Sequence, residues 1–428
     1  MIISIIGHGY VGLVSAAVFA DFGHTVFCVG RTPEKIAKLK RGEILFYEPG
    51  LAELVKKNVD AGRLKFTLDY SEAVPSADIV LICVGTPSSK NGEADLSQVE
   101  AAATEIGKNL DGYTVVACKS TVPVGTNRKV AKILKQNKKA SAVFDSASCP
   151  EFLREGTALH DTLHPDRVII GADNKKASDL LYELHKTVDG EFVITDIETA
   201  EMIKYAANSL LATKISFANA ISFLCDRVGA NVLDVMEGIG LDKRIGRQFL
   251  NPGVGYGGSC FPKDVKALIA IAKQYDYDFS LLKTVEEVNK EAWSNYVNKI
   301  LKVFKENLKG KTFAVLGLAF KPDTDDMREA PSLKIISELL KHGAIIKAYD
   351  PVAIPNTKRL IDEQITYASN AYETCRNADA LLLITEWNEF KDLDLVKIKE
   401  LLNQPVIFDG RHIWNKDKIV NMGFKYFS

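Results

Sequence analysis

The sequence lacks any apolar run long enough to cross a membrane and any excess of charge. Its 54 Lys and Arg balance 55 Asp and Glu, for a formal net charge of −1. Near neutrality removes the electrostatic case for nucleic acid or an anionic membrane surface as partner. Histidine is scarce, at seven residues. Only His160 and His164 have helical spacing, and no further ligand stands in a motif with them, so no metal site is expected. The seven cysteines are odd in number and form no Cys-x-x-Cys pair, which argues against a disulfide framework. Cys28, Cys83 and Cys118 lie within apolar, strand-like runs, where a reduced core thiol is the ordinary outcome. The first residues, Met1-Ile2-Ile3-Ser4-Ile5-Ile6-Gly7, carry no basic leader or small-residue cleavage site. A reducing, cytoplasmic setting is therefore the expectation.

What is present is long enough, at 428 residues, for two or three domains. An apolar strand over 2–6 runs into Gly7-His8-Gly9-Tyr10-Val11-Gly12 and then a small, apolar helical stretch. That is the dinucleotide fingerprint between strand and helix: Gly7 for the tight turn, Gly9 for close approach of backbone to pyrophosphate, Gly12 for packing of helix on strand. A second strand over 25–29 should end in an acid that holds the ribose hydroxyls. Gly30 stands there instead, followed by Arg31 and, nearby, Lys35. Two cations without the carboxylate suit the 2′-phosphate of NADP; Glu34 or backbone serving the ribose of NAD is the alternative.

Further strands are expected at 64–67, 78–84, 113–119, 142–146, 168–171 and 192–195. Their alternation with helices implies a mostly parallel sheet covered on both faces. Three strand ends carry small hydroxyls or carboxylates: Val84-Gly85-Thr86-Pro87, Ser120-Thr121, and the run from Ser148 through Glu151 to Gly156. Ordinary turn chemistry accounts for each singly; their recurrence on one edge favours a site.

From Glu198 to about Val228 the pattern becomes one long helix. It sets Lys204 and Asn208 on a common face at i,i+4, although a snorkelling lysine and a turn-bonded asparagine would read the same. Next comes Asn251 to Asp264, with four glycines between Gly253 and Gly258, one thiol at Cys260, and Lys263 and Asp264 just beyond. A cysteine attacks as its thiolate, which a nearby cation favours, and a carboxylate can manage protons; a glycine-rich turn with a packed cysteine is the plainer reading. A second helix is expected over 281–308. A smaller α/β sheet follows, with strands at 313–316, 345–349, 380–384 and 406–408. It has no second fingerprint, but Lys321 and Arg411 fall at its strand ends. They fit a phosphate-bearing substrate, or are ordinary surface cations. The fold class is thus α/β, two Rossmann-like doubly wound sheets joined by a helical middle domain with a long connecting helix. Its boundaries are drawn at 1–198, 199–300 and 301–428.

Several stretches together, from the first strand to the last, resemble the UDP-glucose 6-dehydrogenase family of nucleotide-sugar dehydrogenases. They are Gly7–Gly12, Pro150-Glu151-Phe152-Leu153-Arg154-Glu155-Gly156, Leu163–Arg167, Lys204–Asn208, Gly257–Asp264 and Phe320–Glu329. The resemblance implies a four-electron oxidation of UDP-glucose to UDP-glucuronate by NAD or NADP. Cys260 is the implied nucleophile, with Lys204, Asn208, Asp264, Thr121 and Glu151 as its catalytic partners. It further implies that Phe152, Leu153, Phe249, Asn251, Gly257, Phe320, Lys321 and Arg411 line the UDP-sugar site together with Glu151, Lys204 and Asn208. Arg244 would reach that site from the other subunit of a homodimer or larger homo-oligomer. Cofactor positions, by the same resemblance, are the Gly7–Gly12 turn, Val84–Pro87, Ser120, Thr121, Glu155, Lys263 and Arg328. Gly30, where the family usually has aspartate, and Cys149, where many members have asparagine, are the departures. A single-step hydroxyacid dehydrogenase would need neither Cys260 nor the last domain, and a non-catalytic nucleotide-sugar sensor would not need the Cys260, Lys204, Asn208 and Asp264 set.

Overall fold

The computed structural model describes residues 1–361 and 365–428. They form two compact units, Met1–Ala207 with Lys266–Tyr275, and Asn208–Val265 with Asp276–Ser428.

The first unit is built on eight strands: β1 Ile2–Ile6, β2 Thr25–Val29, β3 Leu64–Thr67, β4 Ile79–Ile82, β5 Tyr113–Cys118, β6 Val143–Ser148, β7 Arg167–Ala172 and β8 Glu191–Thr195. They lie in the order β3-β2-β1-β4-β5-β6-β7-β8. All neighbours are parallel except β6 and β7. The first six therefore have the doubly wound order, whose chain reverses direction between β1 and β4 and leaves a crevice at their carboxyl ends. Helices on both faces explain why β4 is buried at all four positions and apolar without alternation. The helix Tyr10–Asp21 is buried continuously from Gly12 to Ala20, as its all-round small, apolar composition requires.

Within this core His185 is fully sequestered. Its Nδ1 is 2.9 Å from the Leu181 carbonyl, its Nε2 is 3.9 Å from the Cys149 thiol, and its ring meets Phe19 edge-on at 5.2 Å. Burial, helped by the charge of Lys119, lowers its pKa from 6.5 to about 3. The folded protein thus binds this proton less readily than the unfolded chain. The associated stability is complete above the unfolded value and is lost as pH falls from there towards the folded one. Between about pH 7 and about pH 4 the chain should lose roughly 3 kcal/mol more than a His185→Leu variant. Urea unfolding of both at the two pH values measures it, and parallel losses would exclude His185 as the source.

The second unit holds six parallel strands: β9 Thr312–Leu316, β10 Ile345–Tyr349, β11 Ile365–Tyr367, β12 Ala380–Leu383, β13 Val406–Asp409 and β14 Lys425–Phe427. Their order, β11-β10-β9-β12-β13-β14, repeats that of the first six strands. β11 and β14 have three residues each, too few for a periodicity to register in sequence. The helix Ile197–Val228 begins in the first unit and continues into the second. The helix expected to run to 308 covers Ser280–Val303. Lys305 and Glu306 take φ values of 52° and 59°, and a left-handed pair ends a helix.

Candidate active site

In the first unit the crevice beside β1 is shaped by its glycines. Gly7 has φ 115°, and a Cβ there would come 2.4 Å from the Cys83 carbonyl oxygen; one on Gly12 would come 2.0 Å from that of Gly7. Neither position tolerates a side chain. Around Gly9, by contrast, a Cβ would meet nothing within 4 Å: this is open space where a ligand's phosphates can approach. Gly9 also caps the helix Tyr10–Asp21 with no side-chain hydrogen bond, leaving N–H groups and the positive dipole end for an anion. The neighbouring strand ends are laced together. Ser120 donates to the Val84 carbonyl at 2.6 Å, and Thr86 to the Thr121 carbonyl at 2.9 Å. The residues present therefore fit a dinucleotide. Val11 lies half-buried at the start of the helix, Gly85 and Pro87 belong to the laced turn, and Arg31 and Lys35 are exposed beyond β2.

One residue that sequence reasoning missed organises the next loop. Glu48 is buried, accepts the Tyr10 hydroxyl, and accepts the Gly156 and Ala158 N–H groups at 2.6 and 2.7 Å. It thereby ties the 150–158 segment, including the buried Glu155, to the glycine turn. Glu48 sits in a Glu-Pro-Gly turn, which by itself carries no signal of this.

That segment presents Glu151 to Lys204. Their Oε1 and Nζ atoms are 3.3 Å apart, and the side chains are 7% and 5% exposed. The other Glu151 oxygen accepts the Leu153 N–H at 2.8 Å. The Phe152 ring is flanked by the Lys204 ammonium at 4.8 Å and the Arg167 guanidinium at 3.8 Å. Arg167, whose pKa burial lowers, was not singled out in sequence, although it ends the Leu163–Arg167 stretch. Lys204 is held in place one turn earlier. Glu201 accepts the Gly125 and Asn127 N–H groups at 2.6 and 2.9 Å and the Asn127 amide at 2.7 Å, capping the helix Thr126–Asn137 with a carboxylate from another helix.

In the second unit, Cys260 directly precedes the helix Phe261–Gln274. Such an end stabilises negative charge. Of the seven cysteines, six are buried and Cys260 alone is partly exposed. Burial pushes the Cys83 and Cys375 thiols up to about 12, so they remain protonated. Asp264, fully buried, accepts the Asn208 amide at 2.6 Å and pairs with Lys263. The Ser259 hydroxyl is 3.6 Å from the thiol. Gly257 and Gly258 lie under Phe320: a Cβ on Gly257 would come 2.5 Å from the Glu329 carbonyl oxygen, and one on Gly258 2.8 Å from the Phe320 ring. The Lys321 ammonium is 5.8 Å from that ring, and Arg411 donates to the Phe320 and Ile384 carbonyls at 3.2 and 2.7 Å. Gly257, Phe320, Lys321 and Arg411 are thus brought together beside the cysteine loop. Phe249, at φ 63°, faces Phe261 at 6.2 Å. Asn251 is exposed, Arg244 is exposed and bonded to Asp242, and Arg328 is bonded to Asp326.

The second sheet does carry an acid just after β10, where a dinucleotide fold keeps its ribose ligand. Asp350 is buried and already occupied by the Leu318 and Ala319 N–H groups at 2.7 and 3.1 Å and by the Trp387 indole at 3.2 Å. This sheet has spent the acid on its own turn. Among the described residues no helix is long and apolar enough to cross a membrane, and no three His, Cys, Asp or Glu side chains cluster to hold a metal ion.

Three family models match the chain: the NAD binding domain of the UDP-glucose/GDP-mannose dehydrogenase family over residues 1–189, its central domain over 198–291, and its UDP binding domain over 314–416. A UDP-glucose 6-dehydrogenase of Bacillus subtilis is 50% identical over 426 residues, spanning 100% of this chain and 92% of the relative. One of Rhizobium meliloti is 47% identical, spanning 100% and 99%. The solved structure of a UDP-glucose dehydrogenase from the hyperthermophilic archaeon Pyrobaculum islandicum superimposes with a TM-score of 0.92 at 37% identity, covering 100% of this chain and 96% of that one. With both doubly wound sheets present and all three domain models matched along its length, the chain belongs to the UDP-glucose/GDP-mannose dehydrogenase family.

Proposed function

We infer that this dehydrogenase oxidises the C6 alcohol of UDP-glucose to the carboxylate of UDP-glucuronate in two successive two-electron steps. Residues 1–198 serve the nicotinamide dinucleotide, 199–300 carry the nucleophile and the dimer contact, and 301–428 hold the uridine diphosphate. The observation that carries the reading is Cys260. It is the one thiol with access to solvent, it stands at a helix N-terminus, and it is followed by a buried Asp264 bonded to Asn208. The 47–50% identity to enzymes named for UDP-glucose supports the choice of sugar.

When bound, the dinucleotide accepts a hydride at its nicotinamide ring. Gly7, Gly9, Tyr10, Val11 and Gly12 hold its pyrophosphate, and the Val84–Pro87 and Ser120–Thr121 turns, with Glu155, Lys263 and Arg328, hold the rest. Arg31 and Lys35 meet a 2′-phosphate, which makes NADP the preferred form. Phe152, Leu153, Phe249, Asn251, Gly257, Phe320, Lys321 and Arg411 line the UDP-sugar site. In the first oxidation a base takes the C6 hydroxyl proton, and Lys204 and Asn208 stabilise the charge on that oxygen. An aldehyde has no alkoxide to expel a second hydride. The Cys260 thiolate supplies one by adding to the carbonyl carbon, and the thiohemiacetal becomes a thioester on loss of hydride. Water held by Thr121 and Asp264 then hydrolyses the thioester, with Glu151 carrying the proton.

The reaction test counts reduced cofactor. UDP-glucose supplied with NAD and NADP in separate assays should yield two reduced molecules per sugar consumed, with NADP the better substrate. One per sugar would reduce the enzyme to a simple alcohol dehydrogenase, and a strong NAD preference would overturn the role of Arg31.

The assembly we infer is a homodimer in which Arg244 reaches the other subunit's sugar. Support comes from the helix Ile197–Val228, where Leu210, Phe217 and Leu224 recur every seventh residue and are 62%, 51% and 53% exposed. A stripe of large apolar side chains on one helix face is the pattern of a helix–helix contact. Phe217→Glu should shift sedimentation towards the monomer and reduce turnover together. A variant that sediments like the parent would remove the stripe from the interface.

A further inference from the structure

At the end of β2 the missing acid has a structural counterpart in the glycine turn. Gly30 does not need to be glycine for its backbone, since its φ lies outside the left-handed range and its N–H donates normally to the Thr67 carbonyl at 2.9 Å. It needs to be glycine for space. A Cβ there would come 2.6 Å from Cδ2 of the His8 ring and 2.5 Å from Cδ1 of Ile36. Ile36 belongs to the core, at 2% exposure, while His8 stands between Gly7 and Gly9 in the phosphate-binding turn. Its Nε2 is shielded from solvent and has no hydrogen-bond partner. Burial, with the charges of Lys35 and Arg31 close by, lowers the imidazole's pKa and favours the uncharged ring. Arg31 and Lys35 are both exposed, open to an incoming anion.

We propose that His8 sets the cofactor choice: its ring fills the place over Gly30 where an acid would receive the ribose 2′-hydroxyl, so the site takes a 2′-phosphorylated dinucleotide countered by Arg31 and Lys35. This rests on the reading of the first unit as the nicotinamide dinucleotide site and deepens it. The chemistry is exclusion paired with attraction. A carboxylate at position 30 would repel a phosphate and bond a free hydroxyl; the imidazole removes that option while the guanidinium and ammonium supply the opposite preference. Restoring the acid at position 30 is therefore insufficient by itself, because the ring stands where the acid must reach.

The test is a double-mutant cycle of Gly30→Asp and His8→Ala, with Ile36→Val in all four proteins to remove the Cδ1 methyl. Dissociation constants for NAD and NADP are measured by calorimetry. The parent should bind NADP about tenfold or more tighter than NAD. Gly30→Asp with His8 in place should weaken NADP and leave NAD within about threefold. The same change with His8→Ala should tighten NAD about tenfold or more. An additive cycle, in which Gly30→Asp improves NAD equally with or without the ring, overturns the role of His8 whichever cofactor the parent prefers. A parent that binds NAD more tightly overturns the 2′-phosphate reading of Arg31 and Lys35 independently of the cycle. Should Gly30→Asp fail to fold, Gly30→Ala reads the same crowding through Tm: it should melt lower with His8 present and recover with His8→Ala, and an equal fall in both backgrounds counts against the proposal.

Discussion

Cys260→Ser should yield at most a trace of UDP-glucuronate while UDP-glucose still binds. On the proposed route the second oxidation begins from an aldehyde, which needs an added nucleophile before it can release hydride. A serine hydroxyl at neutral pH is a far poorer nucleophile than a thiolate. The helix beginning at Phe261 stabilises charge on whatever stands before it, but that contribution is too small to ionise an alcohol. Loss of a covalent nucleophile typically costs on the order of 10⁴-fold or more in turnover. Rapid quenching with mass spectrometry of the intact parent protein should find the sugar nucleotide attached at position 260, and in the variant should find none. Substitution of the six buried thiols should produce no comparable chemical effect, because their burial keeps sulfur from substrate. Wild-type rates of acid formation by Cys260→Ser would end the covalent mechanism.

Lys204→Ala should cost both rate and stability, for separable reasons. If its ammonium holds the developing oxyanion, its removal should lower kcat/KM by roughly 100-fold to 1,000-fold, the equivalent of about 2.7–4 kcal/mol. Independently, the substitution strands Glu151, whose carboxylate is 3.3 Å from Lys204 Nζ and 7% exposed. Breaking a buried pair from one side typically costs about 3–5 kcal/mol. Adding Glu151→Gln removes the stranded charge, so it should restore much of the stability and none of the rate. Urea unfolding and steady-state kinetics on the three proteins separate the two effects. If Lys204→Ala retained both rate and stability, Lys204 would be a lysine that merely lays its stem along the core.

The sequence by itself determined a great deal here, because the signals were local. The glycine turn at 7–12 identifies a strand–helix junction whose glycines are required, since Gly7 and Gly12 each face a carbonyl oxygen at a distance no Cβ survives. Alternating apolar runs marked every strand of the first sheet, and the second sheet except its three-residue edge strands β11 and β14. The i,i+4 spacing of Lys204 and Asn208, and the glycines before Cys260, could be read without any fold. What only tertiary structure decided are pairings between residues distant in the chain. Glu48 and Glu201 look like surface acids in sequence, yet each is buried on backbone N–H groups more than 70 residues away. Arg167, at the start of β7, stacks on Phe152 in the loop after β6. Asp350, which drew no notice in sequence, is bonded to the Leu318 and Ala319 N–H groups of the turn after β9. Gly30 read as a missing carboxylate, and only packing revealed the ring and the methyl group that exclude one. Periodicity and spacing report what a segment does with its neighbours in the chain; burial of a charge or the filling of a space depends on which remote segment folds against it.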